Sequence, residues 1–189
     1  MRPIAIIVAA AAGLMATSAY AAAPVGPVSE INISIGSWLD QKRVDRVDDR
    51  DLAYLKDELR KSVETELSRN GKLSASGGGR LELVIEDAVA NRPTLQEMRY
   101  YPSLSYKSFA TGGAEITGVY VAPDGTRTPI GFVRQEVDIR EAAYAYTWRD
   151  ANRAFDSFAV ALTKGQADAE LKPRTEKYRP GRNWDIAWR

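Results

Sequence analysis

The chain has 189 residues, with 26 Lys or Arg against 25 Asp or Glu, so no positive field is available to draw in nucleic acid. It contains no Cys and no His, which removes disulfides, thiolate and serine–histidine nucleophiles, and the ordinary zinc, haem and non-haem iron sites. At 44% hydrophobic and 27% charged residues the composition is that of one globular domain, far from the low-hydrophobicity corner where chains stay disordered, and no cofactor is assigned.

Arg2, an apolar run over residues 4–15 and the small residues Ala19, Ala21, Ala22 and Ala23 follow the order of a secretory signal peptide. We read it as residues 1–21, with cleavage after Ala21 or Ala23. The run holds about a dozen apolar residues where spanning a bilayer takes about 20, and no Cys stands near the cut to carry a lipid. No later segment is long and apolar enough to span. A periplasmic location after cleavage is the expectation.

Residues 28–35 alternate Ile31, Ile33 and Ile35 with Asn32 and Ser34, the period of a strand with one buried face. Residues 40–51 interleave aspartates with Lys42, Arg43, Arg46 and Arg50; then Leu52, Leu55, Leu59, Val63 and Leu67 recur at helical spacing. This predicts an amphipathic helix capped by Asp48 or Asp49 and stopped at Gly71. A loop over 74–79 leads to a second strand over 81–89. Two further strands, 114–121 and 130–139, are joined by Pro123-Asp124-Gly125-Thr126, a turn that predicts a hairpin. Thr147 and Asp150 have the spacing of a capping box for a last helix, with Ala151, Ala154, Phe155, Phe158 and Leu162 inward and Gly165 as stop. The order strand–helix–strand–strand–strand–helix predicts an α+β fold, a mixed four-stranded sheet with two helices on one face. The domain is expected over 24–165. Residues 166–189 form a C-terminal tail in which only a segment around Trp184 and Trp188 is expected to dock.

Three patterns that suggest chemistry have plainer readings. The aspartates of 40–51 lack the Gly and Glu register of a calcium loop and carry their own arginines. Ser76-Gly77-Gly78-Gly79-Arg80 precedes a strand, whereas a phosphate cradle follows one and opens a helix. Glu82 and Glu86 share a strand face and read as its solvent side rather than as a glycosidase pair. No catalytic residue and no metal ligand is assigned.

The stretch 91–113 is long for a connection inside a domain and carries Arg99, Tyr100, Tyr101, Tyr106 and Phe109. Tyr and Arg anchor interfaces, so these residues, with Trp184 and Trp188, are the expected partner-binding set. The alternative is that the rings roof the sheet face left bare by the helices.

The runs NRPT at 91–94, PSLSYKSFATGGAEITG at 102–118, APDG at 122–125, DIR at 138–140 and TWRDANRAFDSFA at 147–159 resemble an uncharacterised family of exported proteins from Gram-negative bacteria. More distantly they are similar to the small α/β domains at the N-terminus of the translocation protein TolB and in the curli secretion lipoprotein CsgG. The resemblance covers about residues 28–164 and implies an envelope-associated binding domain, and nothing about a reaction. Lipoprotein relatives have an anchoring Cys that this chain lacks.

The expectation is a non-enzymatic periplasmic binding domain whose partner is an envelope protein or peptidoglycan, with no nucleic acid. A carboxylate-dependent hydrolase of envelope glycans and a module that assembles with its own copies are the alternatives.

Overall fold

Alternation in the first strand and leucine spacing in the helix after it build one layer each, and each buries its apolar side against the other. The computed structural model describes residues 25–167; the segment expected to be a signal peptide and the tail with Trp184 and Trp188 lie outside the described residues. The elements in chain order are β1 (Val28–Ile35), α1 (Ser37–Gln41) continued by a 3-10 turn (Lys42–Val44), α2 (Asp49–Arg69), β2 (Gly79–Val89), α3 (Leu95–Tyr100), β3 (Gly113–Val121), β4 (Arg127–Gln135), α4 (Ile139–Ala142) and α5 (Arg149–Lys164). The sheet order is β1-β2-β3-β4, with β1 parallel to β2 and the other pairs antiparallel. The fold is α+β with a mixed four-stranded sheet, as its sequence pattern predicts.

Ile31, Leu81 and Tyr120 lie in one register row and Ile35, Ile85 and Ile116 in another. Onto these rows α2 lays Leu52, Leu55, Leu59, Val63 and Leu67, and α5 lays Ala151, Ala154, Phe155, Phe158 and Leu162, all buried in one core. The Phe132 and Phe158 rings meet at 5.9 Å. The two long helices run side by side in the same direction: Asn152 donates to the Tyr54 hydroxyl at 2.8 Å near their starts, and the Ser62 hydroxyl donates to Asp156 at 2.6 Å further on. Asp48 caps α2 reciprocally with Asp51, and Gly165 ends α5 at φ 69°, a left-handed geometry that glycine adopts without steric cost.

Both sheet edges are blunted. Arg60 donates to the Ile31 carbonyl on the outer side of β1 at 2.8 Å, Val28 bridges Leu73, and Pro129 sits in the edge strand β4, where a missing N–H costs no ladder bond.

Three local expectations are corrected. The last strand runs over Arg127–Gln135 rather than 130–139; the Asp138 carboxylate accepts the Arg140 N–H and starts α4, leaving Val137 90% exposed. Thr147 and Asp150 form no capping box: the N-cap of α5 is Trp148, without a side-chain bond, because Asp150 is turned inward to other partners. The 91–113 rings do not roof the sheet. Their segment folds over the end of the sheet, where Tyr101 bonds Asp45 and Phe109 lies under Arg92.

Topology separates the molecule into two poles. At one, short links over 70–78 and 122–126 turn the chain, and the described residues enter and leave, Lys72 donating to the Thr163 carbonyl at 2.9 Å. At the other, where β1 and β2 end, the long connections 36–48, 90–112 and 136–148 converge.

Candidate functional site: the loop pole

The loop pole is held by polar side chains that the sheet presents at its end. Beyond a register shift between Ile85 and Asp87, Asp87 turns inward and pairs with Lys42 of the 3-10 turn, while its Oδ1 also accepts the Ala88 N–H at 2.8 Å. Burial pushes the Asp87 carboxyl above its ordinary value, against the pull of Lys42. Thr94 and Glu97 cap α3 reciprocally at 3.1 and 3.0 Å. The Thr94 hydroxyl donates to the Arg46 carbonyl, and the Arg46 guanidinium faces Glu97 at 3.7 Å. Burial raises the Glu97 carboxyl as well, opposed by its bond to the Thr94 N–H and by Arg46. These contacts fasten 37–47 to 91–100.

Arg92 fastens 91–109 to the third segment. Its guanidinium donates to the carbonyls of Ala145 (3.0 Å), Tyr106 (3.2 Å), Lys107 (3.3 Å), Ser108 (3.4 Å) and Ala143, and its carbon stands 5.4 Å from the Phe109 ring centroid. The planar fork matches several acceptors at once, which a lysine ammonium cannot.

On this frame the rings stand outward. Tyr106 is 63% exposed and Tyr100 55%; Tyr101 and Phe109 are more sheltered, Tyr101 by Asp45 and the Arg46 guanidinium. Arg99 is exposed on α3. The pole also gathers Tyr54, Tyr144 and Tyr146, which the sequence reading did not single out, Tyr144 being 92% exposed. They come from two segments far apart in the chain, α2 and the 136–148 connection, and only the convergence at one sheet end brings them together. The T-x-x-E signature of Thr94 and Glu97 is the overlooked sequence signal that places a helix in the middle of 91–113.

Two hollows flank these rings. One, of about 370 Å³, is lined by Asp48, Arg50, Tyr54, Leu95, Tyr106 and Trp148 among others. The second, of about 470 Å³, runs between α2 and α5 past Glu58, Ser62, Tyr146 and Asp156. The Asn152 amide bonds both the Tyr54 and Tyr146 hydroxyls, at 2.8 and 3.1 Å, and forms the ridge between them.

Asp51 lines the first hollow and burial raises its carboxyl, opposed by the Asp48 N–H and the Trp148 indole, a property a general acid needs. Both oxygens are nevertheless committed, Oδ1 to the Trp148 indole at 3.2 Å and Oδ2 to the Asp48 N–H at 3.1 Å. Glu82 lies on the open sheet face between Arg80 and Arg127, which hold its carboxyl below the usual range; Glu86 accepts the Thr117 hydroxyl at 2.7 Å. The aspartates of 40–51 are taken up locally, Asp40 and Asp49 by Arg43 and Asp48 by Arg50. Among the described residues no group of three or more acidic side chains is arranged to hold a metal ion.

Compared with known proteins, the chain is similar to a minor lipoprotein from Acinetobacter baumannii, at 12% identity over 71% of this chain and 89% of that chain, with a TM-score of 0.28. No family model and no curated protein matches it. Among the described residues no helix is long and apolar enough to cross a membrane.

Proposed function

We propose that the chain is a non-enzymatic binding domain of the bacterial envelope, exported to the periplasm after removal of residues 1–21, and that its loop pole is the binding surface. The observation that carries this reading is the polarity of the fold. The three long connections, two of them carrying exposed tyrosines, meet at one end, while the described chain enters and leaves at the other. A surface so placed is free to meet an envelope protein or peptidoglycan. Rings on connections held by a rigid scaffold are the arrangement expected of a contact surface. The resemblance to exported envelope proteins agrees with it.

The hydrolase alternative gains no proton donor from Asp51, the raised carboxyl that lines the first hollow, since both its oxygens are engaged in capping α2 and holding Trp148. Self-assembly through a sheet edge works against Arg60 on β1 and Pro129 in β4.

A photocrosslinking side chain placed at Tyr106 in intact exporting cells is expected to yield one defined adduct, protein or glycan. The same group at Lys164, near the opposite pole, is expected to yield none. Equal yields at both positions would remove the loop pole as the binding surface.

A further inference from the structure

Charge at the loop pole is unevenly satisfied. The carboxylates of its three segments are engaged within the domain, from Asp40 and Asp49 on Arg43 to Glu141 on Arg153. Within 91–112 the single carboxylate, Glu97, is buried and faces Arg46. The cations of that stretch are Arg92, which is held by carbonyl oxygens, and Arg99 and Lys107, both exposed and with no acceptor among the described residues. The outer surface of α3 and the turn after it therefore presents uncompensated positive charge. Leu95 lies exposed beside it at the start of α3, and Val44 stands close by, its carbonyl accepting from Gln96.

We infer that this surface docks an acidic segment of a protein partner, in which Asp or Glu side chains accompany apolar ones. The carboxylates meet Arg99 and Lys107, and the apolar side chains cover Leu95 and the tyrosine rings. Exposed branched aliphatic residues separate this occupant from an anionic glycan: they gain by burial against protein side chains and gain little against a hydroxyl-rich polymer. Two flexible cations at the rim steer encounter and select sign more than they hold the complex. The inference rests on the loop pole being the binding surface and names the class of partner it takes.

The test uses the purified protein and three labelled probes followed by fluorescence anisotropy: a random copolymer of glutamate and tyrosine, poly-glutamate, and polygalacturonate. The copolymer is expected to bind most tightly, to weaken as salt rises, and to lose at least about tenfold in affinity when Arg99→Glu is combined with Lys107→Glu. Lys164→Glu, an exposed charge change near the other pole, is expected to leave binding unchanged. Undiminished binding by the double variant, or polygalacturonate binding as tightly as the copolymer, would overturn the inference. A Tyr106 crosslink that persists at full yield in the double variant overturns the acidic partner while leaving the binding pole in place. Absence of any adduct at Tyr106 in the unaltered protein removes the pole itself.

Discussion

Asn91 and Asp150 hold each other in both directions across 59 positions of sequence: the Asn91 amide donates to Asp150 Oδ2 at 2.5 Å, and the Asp150 N–H donates to Asn91 Oδ1 at 2.9 Å. The same Asp150 oxygen accepts the Gly112 N–H at 2.9 Å, and the Asn91 amide also reaches the Ala110 carbonyl at 3.0 Å. One buried pair therefore ties the exit of β2, the entry of β3 and the first turn of α5 into a single joint under the loop pole.

Cutting that joint is expected to be expensive. Asp150→Ala leaves the Asn91 amide and the Gly112 N–H buried without this acceptor, a loss of about 3 to 5 kcal/mol in urea unfolding. Asp150→Asn keeps one acceptor oxygen and should cost distinctly less. Equal losses for the two would show that the acceptor is not what matters.

Leu59 and Phe155 are fully buried, one on each long helix. Truncating either to Ala should lower unfolding free energy by about 2 to 5 kcal/mol. Tyr144→Ser, at the most exposed of the pole's rings, should change it by less than about 0.5 kcal/mol.

What could be read from the chain alone follows the length of each pattern. Ile31, Ile33 and Ile35, the five apolar positions from Leu52 to Leu67 and the Pro123–Thr126 turn repeat a period often enough to declare themselves, and they carry the layer order and the hairpin. Asp150 shows the limit. Its spacing from Thr147 is that of a cap, but the buried Asn91 is the stronger partner, and nothing local names a partner 59 positions away. Val137 and Ile139 continue an alternation that Asp138 stops by capping α4. Helices of four to six residues such as α4 and α3 are too short to show a period. For the site, the Tyr100, Tyr101 and Tyr106 cluster was legible because it is contiguous, while Tyr54, Tyr144 and Tyr146 join it only through topology.

Stability should rise on mild acidification. Asp51, Asp87 and Glu97 titrate above their ordinary values, burial being the largest cause in each. Each therefore binds its proton more tightly folded than unfolded, so its stabilising contribution is complete below the ordinary carboxylate value and is lost as pH rises through the raised one. Asp48, Asp124 and Asp138 are lowered, chiefly by hydrogen bonds, and act in the opposite sense as pH falls below the ordinary range, weakly because they lie near the surface. The urea midpoint is expected to be higher near about pH 5 than near about pH 7.5. Glu97→Gln, which preserves the reciprocal cap of α3, should narrow that difference. A midpoint that falls as pH is lowered from about 7.5 to about 5 would contradict the raised values.

Replacing Tyr100, Tyr101 and Tyr106 together by Ser should abolish partner capture by a photocrosslinking side chain placed at the exposed Tyr144 of the loop pole. Unfolding should remain cooperative, with only a small loss from the Tyr101 contacts to Asp45 and Arg46. A collapsed midpoint would mark the rings as core.

The parallel pairing of β1 with β2 sets an order of assembly. Ile31 lies opposite Leu81, whereas β3 and β4 close at Val121 and Arg127. Loop-closure entropy favours the near pair over the distant one. Closure entropy therefore predicts that the β2–β3–β4 meander forms first and that β1 is added later, carried in as α2 packs over the sheet. Until then the edge of β2 is bare, open to any strand that offers a ladder. Arg60, delivered by α2 to the outer carbonyl of Ile31, makes the arriving strand a terminator: the step that completes the sheet also ends its growth.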